Sequence, residues 1–251
     1  MKTIKRAALS AALAMLGVAS LVAEQRQTPA EVLASARLLG SGERFSLTLS
    51  MRIEENGDSK TRTIAVSIDQ AGGDSLLFAG ITEPAFLSSM KYLRVQRKGS
   101  PLQQWIKTSR GVSRIAGNGS GERVFGSHFT AEDFGQVGVE GFTLSWLEGD
   151  GAKPGTLCVV GLPVGAGSSY ARKVFTIDEA SRLLVAIDSY GADGAKLRSY
   201  RLEETCVIDG AAFPKRAVME DLRTGGRTIV QIADVRKVAS FPSRTFNSAS
   251  L

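Results

Sequence analysis

Apolar and polar residues alternate along most of the chain, the period-two signature of strands with one buried face. Phe45, Leu47, Leu49, Met51 and Ile53 alternate in this way. After the turn Glu55-Asn56-Gly57-Asp58, Ile64, Val66 and Ile68 do the same, which predicts a long β-hairpin. A second turn at Ala71-Gly72-Gly73-Asp74 leads into an apolar run from Leu76 to Ile81. Further strand-like segments lie at 92–97, 104–108 and 112–115, so the early chain reads as a meander. The pattern resumes at Phe142, Leu144 and Trp146 and continues through 156–162, 171–177, 183–189, 197–206, 217–222 and 228–235. Tight turns such as Gly191-Ala192-Asp193-Gly194 and Thr224-Gly225-Gly226 separate the last of these. The seven or eight regularly spaced strands of this later run, with their tight turns, mark an antiparallel sheet.

Two segments break the alternation. Val32, Leu33, Ala36 and Leu39 share one face at helical spacing, with Gly40 and Gly42 beyond them. Thr28 is a suitable N-cap, Pro29 suits the first helical position and Glu31 completes a capping box, so an amphipathic helix starts here. The stretch 117–126 is rich in glycine, and Phe129-Thr130-Ala131-Glu132-Asp133-Phe134 reads as a short capped helical turn. A large antiparallel sheet must bury one face, and an amphipathic helix beside it favours a sheet wrapped around helices over a closed sandwich. Incomplete cover of a curved sheet would leave an apolar concavity that suits an acyl chain.

Lys2, Lys5 and Arg6 followed by the apolar run 7–22 predict a signal peptide, residues 1–23, cleaved after Ala23 or alternatively after Ser20. No cysteine stands at or just after that run to accept a lipid, so a soluble periplasmic protein is expected, with residues 24–251 as one domain. The formal net charge of +6 includes the three leader cations, leaving +3, too weak a balance to argue for nucleic acid. Cations cluster at Lys91, Arg94, Arg97 and Lys98 and again at Lys107, Arg110 and Arg114. They fit solvated strand faces, or a site for anionic headgroups or a membrane-protein partner. Export permits a disulfide between Cys158 and Cys206, while their apolar strand contexts fit two small buried side chains equally well.

Candidate chemistry is sparse. The chain has one histidine, His128, and the two cysteines lack metal-ligand spacing, so no metal or cofactor is expected. No GxSxG is present, and Ser127 beside His128 cannot make a triad by adjacency. The glycine run lacks the lysine and hydroxyl of a phosphate loop. Glu132-Asp133 and Glu203-Glu204 are read as solvated acids rather than as a glycosidase pair. These readings leave no catalytic residue to name and exclude most enzyme classes.

Four motifs stand out: Gly80-Ile81-Thr82-Glu83-Pro84, Gln104-Trp105-Ile106-Lys107, Arg114-Ile115 and above all Gly126-Ser127-His128-Phe129-Thr130-Ala131-Glu132-Asp133-Phe134. Together they resemble the outer-membrane lipoprotein-sorting family, the LolA-like superfamily. Tyr170, Lys173-Val174, Ile177-Asp178 and Asp188-Ser189-Tyr190-Gly191 fit a later hairpin of the family. In the longest motif Gly126, Ser127, Phe129, Glu132 and Asp133 match, while His128 stands where the family usually has an acid and Ala131 where it has an aromatic. The resemblance implies a mainly β (α+β) fold, an unclosed antiparallel β-barrel curved around a few short helices. It also implies a monomeric periplasmic carrier that takes acyl chains of a lipoprotein or lipid from an inner-membrane transporter toward an outer-membrane acceptor. Leu47, Leu49, Met51, Ile64, Val66, Ile68, Leu76, Phe78 and Trp105 would then line the cavity. For any one of them a place in a dry core is the simpler reading, and cavity lining is claimed only for the set. The rival readings are a non-carrier envelope module on the same fold and a hydrolase of envelope polymers.

Overall fold

The computed structural model describes residues 27–37, 43–116, 121–134, 139–148, 153–165 and 168–251. The expected signal peptide and residues 117–120 of the glycine-rich run lie outside them.

Thirteen strands, one on each of the strand-like segments named above, form one antiparallel sheet. They are β1 (Arg44–Glu55), β2 (Asp58–Asp69), β3 (Ser75–Glu83), β4 (Lys91–Gln96), β5 (Gln103–Thr108), β6 (Gly111–Ile115) and β7 (Phe142–Trp146). Then follow β8 (Thr156–Pro163), β9 (Arg172–Asp178), β10 (Leu184–Tyr190), β11 (Lys196–Ile208), β12 (Ala211–Asp221) and β13 (Gly226–Lys237). The spatial order is β6-β5-β4-β3-β2-β1-β13-β12-β11-β10-β9-β8-β7. Two meanders therefore join where β1 pairs with β13, and the outer strands β6 and β7 do not pair with each other, so the barrel is unclosed. The turn chemistry is local: Asn56 (φ 53°) and Gly57 (φ 84°) supply the two positive angles that a tight β1–β2 hairpin needs. Asp209 (φ 49°) and Gly210 (φ 79°) do the same between β11 and β12.

Directly paired residues share a face, so the register sorts the side chains. Leu47, Val66, Ala79 and Tyr92 lie in one row across β1 to β4, and Leu49, Ile64 and Ile81 in the next. On the other half, Ile53, Thr228, Met219, Tyr200, Ile187, Phe175 and Val159 continue the same face from β1 to β8. This is the inner face, since the helices and the 123–134 segment pack against it.

The expected N-terminal helix is α1 (Pro29–Ser35), with the Thr28–Glu31 capping box formed. It ends before Leu39 because Arg37 leaves it to bridge Leu183. Seven residues are too few for a helix to persist alone, and its support is tertiary. Val32 and Leu33 are fully buried against Val159, Phe175, Ile177 and Leu184. Each such burial is worth about 1.5–3 kcal/mol. The second expected helical turn is α2 (Ala131–Phe134), started by Thr130, whose N–H and hydroxyl both donate to Asp133 Oδ2 at 2.8 Å.

Cys158 and Cys206 are both free, which resolves the open question of their pairing. Cys158 is on β8 and Cys206 on β11, three strands away, a lateral separation of about 14 Å. A disulfide needs Cα atoms within about 7 Å. Cys158 is buried, and Cys206 packs half-buried against the main core.

Candidate functional site

The inner face is divided by the segment 123–134, which crosses it as a plug. Val124, Phe125 and Ala131 pack with Ile53, Ile64, Val66 and Tyr92 on one side, and Phe129 packs with Tyr200, Ala217 and Met219 on the other. The Phe129 and Tyr200 rings meet edge-on, with centroids 6.4 Å apart. Backbone strain shapes the plug: Phe125 is held at φ 56°, a conformation unusual for a bulky residue, and Gly126 follows at φ 67°. The Phe125 carbonyl accepts a hydrogen bond from Arg62 of β2, and that guanidinium stands 3.4 Å from where a Cβ on Gly126 would be.

The motif residues hold the plug in shape and against the sheet. Ser127 is buried; its hydroxyl donates to Val124 O at 2.7 Å and accepts from Phe129 N at 3.1 Å, closing the turn on itself. His128 is 0% exposed. Its backbone N–H and its ring Nδ1 both meet Thr228 Oγ1 at 2.9 Å. Its Nε2 faces Glu55 Oε1 at 3.5 Å and has no hydrogen-bond partner among the described residues. Burial pushes the imidazole pKa down, the positive Arg123 adds to this, and Glu55 and Asp221 pull the other way. The ring fits because Gly226, on β13 beside Thr228, has no Cβ: an added one would lie 2.8 Å from His128 Cε1 and 3.2 Å from Cδ2.

Glu132 and Asp133 are not solvated, contrary to the sequence reading. Glu132 takes Ser168 Oγ at 2.6 Å, Ser169 N at 3.0 Å and Lys173 Nζ at 3.2 Å. Asp133 takes Arg198 Nη1 at 3.2 Å. Arg198 also donates to His128 O at 2.8 Å and to Asp221 Oδ2 at 3.2 Å, and Asp221 is further bound by Arg223 at 2.8 Å. Burial alone would raise the Asp221 pKa, but the hydrogen bond from Arg223 and the charge of Arg198 outweigh it and bring it down to about 2. On the other flank Arg123 grips Glu55 through two bonds of 2.9 and 3.1 Å, and this holds the Glu55 carboxyl below its usual range. Arg198, Asp221, Gly226 and the Arg123–Glu55 pair escaped the sequence reading, and Thr228 was matched to the family without its contact with His128. Apart from Arg123, at the start of the plug, each lies tens of residues from it, and no local pattern announces which distant strand will face it.

The cavity candidates divide by register. Leu47, Leu49, Met51, Ile64, Val66 and Ile68 belong to the inner face and its core. Leu76, Phe78 and Trp105 do not: the inner residues of β3 are Leu77, Ala79 and Ile81, which pair with Ile68, Val66 and Ile64. Phe78 instead lies in a row with Ser67, Leu93 and Trp105 on the outer face, and Leu76 shares that face. The apolar run from Leu76 to Ile81 lacked alternation, so its inner side could not be chosen from sequence. Around the plug, Leu49, Leu77, Ile115, Ile208, Val230 and Ile232 are packed against the core yet remain only partly buried. They form an apolar surface inside the curve that helices and plug do not fully cover. Among the described residues no group of three or more His, Cys, Asp or Glu side chains is placed to hold a metal ion.

Several solved structures share this architecture. An outer membrane lipoprotein-sorting protein domain from Vibrio parahaemolyticus superposes with TM-score 0.75 at 18% identity, covering 87% of this chain and 94% of that one. A DUF1329 family protein from Desulfovibrio piger gives TM-score 0.75 at 18% identity, with 90% and 100% covered. A LolA superfamily protein from Nitrosomonas europaea gives 0.70 at 17%, also with 90% and 100% covered. No curated protein matches the sequence significantly. A family model described as "-like: Uncharacterized protein" matches residues 73–251, more than half of the chain. The chain belongs to the family that this model describes, and its fold is that of the LolA superfamily of outer-membrane lipoprotein-sorting proteins.

Proposed function

We propose that the protein is an exported, non-enzymatic carrier that shields acyl chains of a lipoprotein or lipid in the aqueous space between two membranes. The observation that carries this reading is the incompletely covered apolar surface inside the sheet, around Leu49, Leu77, Val230 and Ile232. A soluble domain that leaves apolar side chains part-exposed in a concave face forgoes stabilisation unless something apolar occupies it. Each methylene hidden there is worth about 0.8 kcal/mol, so one or two acyl chains supply ample affinity, and release is the harder step. A donor in the inner membrane and an acceptor at the outer membrane are the partners such a task needs. The buried charges Lys173, Arg198 and Asp221 hold the plug in place, which supports binding rather than catalysis.

The test is native mass spectrometry with lipid extraction on protein purified from a Gram-negative envelope. Stoichiometric lipid or acylated peptide is expected, and Leu49→Asp or Ile232→Asp should abolish it. Val207→Asp, at an outward position 74% exposed, should leave it intact. A lipid-free mass that takes up no lipid on titration would overturn the carrier reading in favour of an envelope interaction module.

A further inference from the structure

A second surface lies outside the concavity. From Pro84 to Gly121 the chain contains no aspartate or glutamate, yet it carries Lys91, Arg94, Arg97, Lys98, Lys107, Arg110 and Arg114. Arg94 is buried and donates to Ser75 and Gln96, and Arg97 pairs with Asp74. Lys91, Lys107, Arg110 and Arg114 form no ion pair among the described residues. The register gathers these four at one corner of the sheet. Lys91 is directly opposite Lys107, and Lys107 is opposite Val112, all in one outer row; the next row holds Leu93, Trp105 and Arg114. Arg110 sits in the turn between β5 and β6, at the same end as the β3–β4 connection that carries Phe86.

Like charges directly opposed across a strand pair repel, so nothing within the fold rewards the Lys91–Lys107 arrangement. The corner is also apolar at its tips: Phe86 is 82% exposed and Val112 46% exposed. Unpaired lysine and arginine around protruding apolar side chains is the composition of a surface that lies on a bilayer, where cations meet phosphate headgroups and the apolar tips enter the interface. An acidic protein face would satisfy the cations but leave no role for Phe86.

We propose that this corner, formed by Phe86, Lys91, Lys107, Arg110, Val112 and Arg114, docks the protein on an anionic phospholipid surface. Docking does not depend on the carrier reading, because the vesicle assay below reports adsorption and not acyl uptake; either can fail alone. Protein purified from cells expressing the whole chain is floated with vesicles of phosphatidylcholine alone or with about a third phosphatidylglycerol. Binding to the anionic vesicles at low salt, its loss at high salt and its absence from the neutral ones are expected. Each cation near an anionic surface contributes about fivefold in affinity. Arg110→Gln with Arg114→Gln should therefore weaken binding by about 25-fold, while Lys60→Gln with Arg236→Gln, on other strands, should change it less than threefold. Phe86→Ser should weaken binding several-fold without altering its salt dependence, and circular dichroism melting confirms that each variant is folded. No binding to anionic vesicles, equal loss in both double variants, or binding only to an acidic protein would overturn the proposal.

Discussion

Gly226→Ala is the sharpest test of how the plug is seated. The new methyl carbon would lie 2.8 Å from His128 Cε1 and 3.2 Å from Cδ2, well inside contact distance. A flexible side chain could retreat, but His128 is fully buried and held at two points by Thr228 Oγ1, both at 2.9 Å. Moving it therefore breaks buried hydrogen bonds as well as packing. Overpacking costs about 1–3 kcal/mol and an orphaned buried polar group about 1–3 more, so a net loss of about 3 kcal/mol is expected. For a domain of this size that lowers Tm by about 6–12 °C.

The measurement is urea unfolding of a double-mutant cycle with His128→Ala. That single change also destabilises, because it leaves a cavity and a bare Thr228 hydroxyl. In its background the Gly226 methyl enters vacated space, and Gly→Ala within a strand should then cost nothing or stabilise by a few tenths of a kcal/mol. The two changes should thus be non-additive by about 2–3 kcal/mol, with the double variant more stable than the sum predicts. Additive costs, or a Gly226→Ala variant within 0.5 kcal/mol of the parent, would refute the claim that this glycine exists to admit His128.

Two other consequences follow from the buried polar groups, alongside the lipid-uptake and vesicle experiments. Since the folded His128 pKa is depressed, the unfolded chain binds more protons below about pH 6.5. Stability from this group is complete above that pH and declines as pH falls toward the folded value, by at most about 1.4 kcal/mol per unit. His128 is the chain's one histidine, so the difference in slope between the parent and His128→Asn, measured by urea unfolding between pH 5 and 7, isolates it; identical slopes would remove the effect. Arg198→Met leaves Asp133 with only Thr130 and Lys173, the latter at 4.0 Å, and frees the His128 carbonyl; breaking a buried pair costs about 3–5 kcal/mol. The low end is expected because Arg223 still holds Asp221, and a loss under 1 kcal/mol in chemical unfolding would show the cluster to be dispensable.

The strands were legible because their signal is local. Alternation in 45–53 fixed the inner face of β1, and Asn56-Gly57 fixed the turn that pairs it with β2. The same logic failed where alternation stopped, and at β3 it assigned Leu76 and Phe78 to the wrong side. The plug was visible as a motif, but its function was not. Glu132 and Asp133 look solvated until Lys173 and Arg198, some forty and sixty-five residues on, are folded against them.

The chemistry of the two inner coverings argues for which one moves. The plug is held by buried, geometry-specific contacts through Arg198, Lys173, Arg123 and Thr228, and displacing it would leave charges uncompensated in a desolvated site. Helix α1 is held chiefly by Val32 and Leu33 against β8 to β10, contacts that are non-directional and can be exchanged for acyl methylenes at little cost. Half-buried apolar residues also lie beside α1 (Phe142, Leu144, Leu157 and Ile187), but those on β1, β3 and β13 lie on the opposite side of the plug from it. An acyl chain entering there need not displace either cover. On the proposed carrier reading the plug would be a fixed partition, and a first chain would bind beside it on the β1–β13 side. Only a second chain would need the space beneath α1. A Leu33→Ala variant should therefore lose stability without losing the first equivalent of lipid, whereas Ile232→Asp should lose that equivalent first.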